Sequence, residues 1–380
     1  EVVHYIWQDM DSSLSKEFVV SNYYPLDWVT MRRGYEQSIR VPKLWQLENE
    51  HILRRLPRMC TRYAVVDNSL RQCTPTTYSG REKVRFETAL KNILKNNTLD
   101  NAIWNYCYED YAYVRDSSPR GLYLSKASHP LYQDIAAPDW DFMTSGSYSP
   151  WDVRLKDILE KARSTPFETR IDSVFFRGSF TGRSLPDLGG SPSLPTPKTN
   201  PRFALFSKRY CEHATKTTGG VDIDIGITGR GPEIGDMKLR QNLCGFRGDW
   251  EKKVSMVEHC KYKYLVSISG RGSQGIRLKE LMACGSVVFM HTSKHEESFY
   301  NLIEPWVHVI PYTEDASDLF DKIDWAHANP VKARKIAENG QKLIIEQVNA
   351  GYAVKWWKSF TKEYQSKQPS KGVATLCDNY

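Results

Sequence analysis

The sequence has no run of about 18 apolar residues, so no part of its 380 residues is expected to cross a membrane as a helix. It has no CxxC pair, and none of its cysteines falls at zinc-finger spacing with histidines, which argues against a structural metal. Long basic runs are missing too. The net charge of +7 is spread over pairs such as Arg32-Arg33 and Arg54-Arg55, a distribution that does not suit nucleic acid as a partner. The same surplus suits a positive cleft for a phosphorylated small molecule. No internal repeat is present. The chain opens at Glu1 with neither an initiating methionine nor an apolar h-region, as it would after loss of a signal peptide or membrane anchor. It closes on Cys-Asp-Asn-Tyr, which is no lumenal retention signal.

What is present is ordinary globular material, 40% hydrophobic and 26% charged, long enough for two domains or one large one. The eight cysteines suit either scattered disulfides or buried thiols. The sequon Asn96-Asn97-Thr98 leans toward the secretory route. Residues 10–62 read as helical, with amphipathic patches such as LWQLENEHILRRL, and a short alternating segment follows at 62–68. A helix is expected over 82–94. NYCYEDYAYVRD alternates like a strand and stops at the turn residues Asp116-Ser117-Ser118-Pro119. Residues 139–152 read as loop, and the domain boundary is expected near 164–169.

Beyond that boundary DSVFFRGS reads as a buried strand, and residues 185–201, rich in proline, glycine and serine, as an exposed loop. KYKYLVSIS reads as a strand, GRGSQG as a glycine-rich turn, IRLKELMA as a helix capped at Gly285, and SVVFM as the next strand. That is a strand–loop–helix–strand unit of doubly wound type. A strand over 306–310 and helices from Ala316, Pro330 and Tyr352 complete the pattern.

The chemistry concentrates at two strand ends. In Gly270-Arg271-Gly272-Ser273-Gln274-Gly275, backbone amides can approach a phosphate, and Arg277 can fork onto it. It is neither a Walker A nor a strict dinucleotide motif, and a plain surface turn is the competing reading. Phe176-Arg177-Gly178-Ser179 places an arginine where open α/β sheets bind ligands; an arginine paired with a nearby carboxylate is the competing reading. Three Asp-x-Asp pairs, Asp9/Asp11, Asp139/Asp141 and Asp222/Asp224, read as surface or turn residues, not as a metal site. His259 and His308 read as satisfied histidines of the core or near the site.

HCKYKYLVSISGRGSQGIRLKELMACGSVVF followed by EPWVHVIP resembles the signature region of the protein O-glucosyltransferase family, the Rumi type with its fungal capsule-associated relatives. FFRGS, YAYVRDSSP and LSKASHPLYQDIAAPDW resemble its upstream segments, in the family's order, over roughly 56–364. The resemblance implies an α/β chain with two facing Rossmann-like domains, the GT-B type. It implies residues 1–165 on the acceptor side, 166–345 holding the donor, and 346–380 as a helix and tail returning to the first domain. It implies an inverting, metal-independent transfer of glucose or xylose from a UDP-sugar, without further cofactor, to a hydroxyl of a glycoprotein or polysaccharide in the secretory lumen. A catalytically silent relative that binds sugar or UDP, or acts as a chaperone, is the alternative.

By the same resemblance Asp116 is the base that takes the acceptor's proton. Arg177, Ser179, Gly272, Ser273, Gln274, Gly275 and Arg277 hold the diphosphate, Glu297 the ribose, and Ser125 and Lys126 line the substrate site. The arginine that often follows Phe-Arg-Gly-Ser is replaced by Phe180, with Arg183 the nearest substitute. Read from the residues alone, Asp116 is equally a turn former and Glu297 a solvated helix-start glutamate. Glu109 and Asp110 are the rival bases; on one extended strand Asp110 would share a face with Asp116 about 20 Å away, and Glu109 would take the other face. The resemblance also implies that Cys260 and Cys284 are bridged.

Overall fold

The computed structural model describes residues 56, 59–74, 80–114, 122–132, 134–142, 150–180, 200–212, 217–229, 243–244, 246, 250–270, 272–366 and 372–378. The readings of 10–55, Arg115, Asp116, Arg183, Arg271 and most of 185–201 lie outside them.

The first sheet runs β2-β1-β3-β4-β5, from β1 (Cys60–Val66), β2 (Ser69–Gln72), β3 (Ala102–Cys107), β4 (Tyr123–Ser125) and β5 (Ile135–Ala136). β1 is antiparallel to β2 and β3; β3, β4 and β5 are parallel. Every residue of β1 and β3 is buried, so the alternation read at 62–68 is absent: both faces are covered. Trp104 and Tyr106, two apart on β3, share one face. Tyr106 stacks on Phe86 of α1 (Arg81–Asn96), 3.7 Å between centroids, and Trp104 lies 5.2 Å from Trp357. Burial of aromatics of this size contributes about 1.5–3 kcal/mol each.

β3 ends at Cys107, and the chain bends away over 109–111. The long strand expected through Asp116 is therefore cut short. Cys107 stands opposite Cys60, the first residue of β1, and is disulfide-bonded to it; one more backbone bond, from the Tyr108 amide to the Met59 carbonyl, follows before the chain bends.

α2 (Trp151–Ser164) occupies part of what reads as loop, and leads to the second sheet, ordered β11-β10-β9-β6-β8-β7. Its strands are β6 (Ile171–Gly178), β7 (Thr217–Thr218), β8 (Val221–Ile227), β9 (Tyr262–Ser267), β10 (Val287–His291) and β11 (Ile310–Tyr312). All pair in parallel except β7. The last strand starts at Ile310, later than the expected 306–310, because Trp306 adopts φ +63° and breaks the extension. The helices are α3 (Pro201–Ser207), α4 (Arg277–Ala283), α5 (Leu319–Ala328), α6 (Pro330–Glu346), α7 (Gly351–Ser366) and α8 (Val373–Asp378). Gly285 caps α4 at φ +64°, as the sequence predicts. α7 and α8 return to the first sheet: Trp357 meets Trp104, and Cys377 is bonded to Cys73. Cys211–Cys244 and the expected Cys260–Cys284 are also bridged. No helix among the described residues is long and apolar enough to cross a membrane.

Candidate active site

Two loops from the carboxyl ends of parallel strands meet in one place, the position where open α/β sheets bind ligands. One leaves β3 and contains Asp110; the other leaves β9 and contains the glycine-rich turn. They touch. A Cβ built on Gly272 would stand 2.4 Å from the carbonyl oxygen of Asp110 and 2.8 Å from Cβ of Tyr111. No other residue fits, so this glycine is required by the passing backbone of the first half. The sequence suggested phosphate approach instead.

Asp110 carries the most open carboxylate of this neighbourhood: its side chain is 63% exposed, and Lys126 holds it at 2.8 Å. The same ammonium lies 3.2 Å from Glu82 and 3.8 Å from Asp139. These carboxylates raise the Lys126 pKa well above its ordinary value, against burial, so the lysine stays charged. Lys126 is thus engaged by acids and orients Asp110. Ser125 is fully buried and donates to the Ala127 carbonyl, a structural bond.

At the end of β6 Arg177 answers to the competing reading. Its Nη2 lies 2.6 Å from Asp224 Oδ1, its Nη1 donates to the Asp224 carbonyl, and Glu251 is 3.7 Å away. Asp224 is a strand residue of β8 rather than a turn residue, and pairs this arginine. The Arg177 carbonyl in turn accepts from Nη1 of Arg277 at 2.8 Å. Arg277 opens α4, lies 5.0 Å over the Phe176 ring, and has no carboxylate within 4 Å among the described residues. Burial lowers its pKa, which still leaves a cation.

Arg202 joins it. Its guanidinium donates to the carbonyls of Ser179, at the end of β6, and Ser269, after β9. Burial first, and then the neighbouring Arg277, depress its pKa to about 9. Sequence reading missed Arg202, although the signal existed: Asn200-Pro201 is a helix start, and Asn200 Oδ1 accepts from the Phe203 amide. The Arg277 charge bears on Arg202, and an anion held near both would offset it.

The turn itself is internally bonded. The Ser273 carbonyl accepts from Gly270, and its hydroxyl from Gly275, at φ +65°. Gln274 is buried, its amide nitrogen donating to the His291 carbonyl. Glu297 is not solvated: it is 6% exposed, near Tyr300, whose hydroxyl donates to it at 3.3 Å. Burial pushes its carboxyl up to about 8, so a protonated acid stands beside Ser273 at neutral pH. Asp141, read as a surface residue, is buried between Lys279 and Arg154. His259 and His308 are structural, bonded to the Ser255 carbonyl and the Glu304 amide.

Residues 232–374 match the model of glycosyl transferase family 90. Protein O-glucosyltransferase 1 of Rattus norvegicus is 29% identical over 68% of this chain and 59% of its own. O-glucosyltransferase rumi of Drosophila melanogaster is 27% identical over 61% of this chain and 52% of its own. The chain therefore spans a little over half the length of these relatives. The family resemblance read from the sequence is borne out. Among solved structures, Anabaena Alr3699/HepE in complex with UDP-glucose matches at 15% identity, covering 58% of this chain and 57% of that one. Its TM-score is 0.33.

Proposed function

We propose that the chain is an inverting, metal-independent glycosyltransferase of GT-B type. It moves glucose or xylose from a UDP-sugar to a hydroxyl of a glycoprotein or polysaccharide, in the lumen of the secretory pathway or outside the cell. The observation that carries the reading is the contact at Gly272, which sets the loop of the open Asp110 carboxylate against the glycine-rich turn that leads into Arg277. The names of the matched relatives support the donor class, and the four disulfides support an oxidising compartment.

Single displacement needs a base on one side of the sugar and stabilisation of the departing diphosphate on the other. Arg277 and Arg202 supply the second, with Arg177 bracing Arg277 through its carbonyl. The resemblance gives the base as Asp116, which lies outside the described residues; among the described residues the open carboxylate beside the glycine-rich turn is Asp110, held by Lys126, and it is the base taken here. The Asp110 carboxylate takes the proton of the acceptor hydroxyl while the acceptor oxygen bonds the anomeric carbon and UDP leaves with the electrons of the broken glycosyl bond.

The test is UDP release from a panel of UDP-sugars, followed by transfer rates of Asp110→Asn and Asp116→Asn with UDP affinity measured for both. Asp110→Asn is expected to lose about 10²–10⁴-fold in transfer and keep UDP binding. Normal transfer by Asp110→Asn with a dead Asp116→Asn returns the role to Asp116; no release from any donor favours the silent relative. Excess EDTA is expected to leave the rate within about twofold, since arginines carry the charge. Loss on chelation with recovery in manganese would overturn metal independence.

A further inference from the structure

Asp139 and Asp141 belong to neither the base nor the anion site, yet both are built into the interior. Asp139 faces Lys126, the lysine that holds Asp110. Asp141 faces the other half: its Oδ2 lies 2.6 Å from Nζ of Lys279 and 2.8 Å from Nη2 of Arg154, whose Nη1 bonds Glu280 at 2.7 Å. Lys279 and Glu280 are the third and fourth residues of α4, the helix that Arg277 opens. The Lys279 and Asp141 side chains have 0% exposure, and Lys279 also lies over the rings of Phe142 and Trp151, at 4.3 and 5.2 Å.

We infer that the turn Asp139-Trp140-Asp141 is a splint that sets the proposed base against the donor helix. One carboxylate takes the lysine that orients Asp110, and the other takes the lysine of the helix that carries Arg277. The inference rests on the proposed function for what is being aligned. A buried ion pair is a poor source of stability, because desolvation offsets its attraction and an apolar replacement often does as well. Here even the pairing is incomplete: Asp141 Oδ1 and Glu280 Oε2 are buried without a hydrogen-bond partner among the described residues. What the ion pairs supply beyond apolar contact is direction. A helix held only by greasy packing can slide or rotate by a fraction of a turn; one held by Lys279 on Asp141 and Glu280 on Arg154 cannot without stranding four charges. Each aspartate of this pair already has an ammonium against it, so its cation is a side chain of the protein.

Asp139, Asp141 and Lys279 are positioning residues, and their test separates alignment from stability. The double variant Asp141→Leu/Lys279→Met replaces the pair by apolar groups in an aromatic setting and is expected to melt close to the parent. Its UDP-glucose affinity by calorimetry is expected to stay within about threefold, since the arginines remain. Its kcat is expected to fall roughly tenfold or more, as misplacement of a reacting group does. Amide exchange over 108–111 and 270–275 is expected to quicken roughly tenfold as the contact at Gly272 loosens. A well-folded double variant with parental kcat and parental exchange overturns the splint, and so does a loss of UDP-glucose affinity with kcat unchanged. Should the double variant not fold, Lys279→Arg takes its place, with the same expected split and the same overturning results. A parent protein that binds neither UDP-glucose nor UDP-xylose would sink the proposed function instead, while exchange would still decide the splint.

Discussion

At the scale of single residues, the two strand-end arginines illustrate how identical side chains divide into different roles. Arg177 is paired by Asp224 and Arg277 is not paired by any described acid, so the second has the charge to spare for a ligand. Arg277→Ala is expected to weaken UDP binding by roughly 1.5–3 kcal/mol, the worth of a charge-assisted contact. Calorimetric titration with UDP checks it, and an unchanged affinity would make Arg277 a brace for β6. Arg177→Ala is the contrasting case, because its main loss is an internal ion pair.

At the scale of elements, α3 carries Arg202 while burying Phe203, Leu205 and Phe206 in the core, and its start depends on one side chain. Asn200 accepts from the Phe203 amide, and Pro201 presets the first turn. Asn200→Ala is expected to cost about 1 kcal/mol of stability through the lost cap. Because Arg202 is the second residue of that helix, UDP affinity is expected to fall as well. Denaturant unfolding and UDP titration on the same variant read the two effects; a stability loss with parental UDP affinity would detach Arg202 from the anion site.

At the scale of the whole molecule, burial of carboxylates gives stability a direction with pH. Burial raises Glu296 to about 7 and Glu297 to about 8, above their ordinary range. A carboxyl whose folded pKa is raised favours the protonated fold. Its contribution is complete below the ordinary value and is lost as pH rises through the folded one. Between about pH 6.5 and 8, melting temperature is therefore expected to fall, by a few degrees on the usual scale of such linkage. Below that window buried His259 and His291, both depressed to about 4, act in the opposite sense, since unfolding lets them take up protons. A melting temperature that rises from pH 6.5 to 8 would contradict the burial of these two glutamates. Glu297→Gln is expected to flatten the upper part of the profile.

Local pattern by itself determined the unit over 262–291. Strand, glycine turn, helix, Gly285 cap and strand follow from hydrophobic period and chirality, which act within a few residues, and the structure has them over 262–291. The ordered motifs fixed the family resemblance, and with it the bridge between Cys260 and Cys284. The end of β3 was decided elsewhere, by where its partner strand β1 begins, at Cys60, 47 positions away. So were the engagement of Lys126 by three acids, the pairing of Arg177 with Asp224, and the burial of Asp141 on Lys279, 138 residues apart. Sequence records which groups can ionise. Only the tertiary structure decides which of them meet, because solvation and Coulomb energy depend on distance in space and not along the chain.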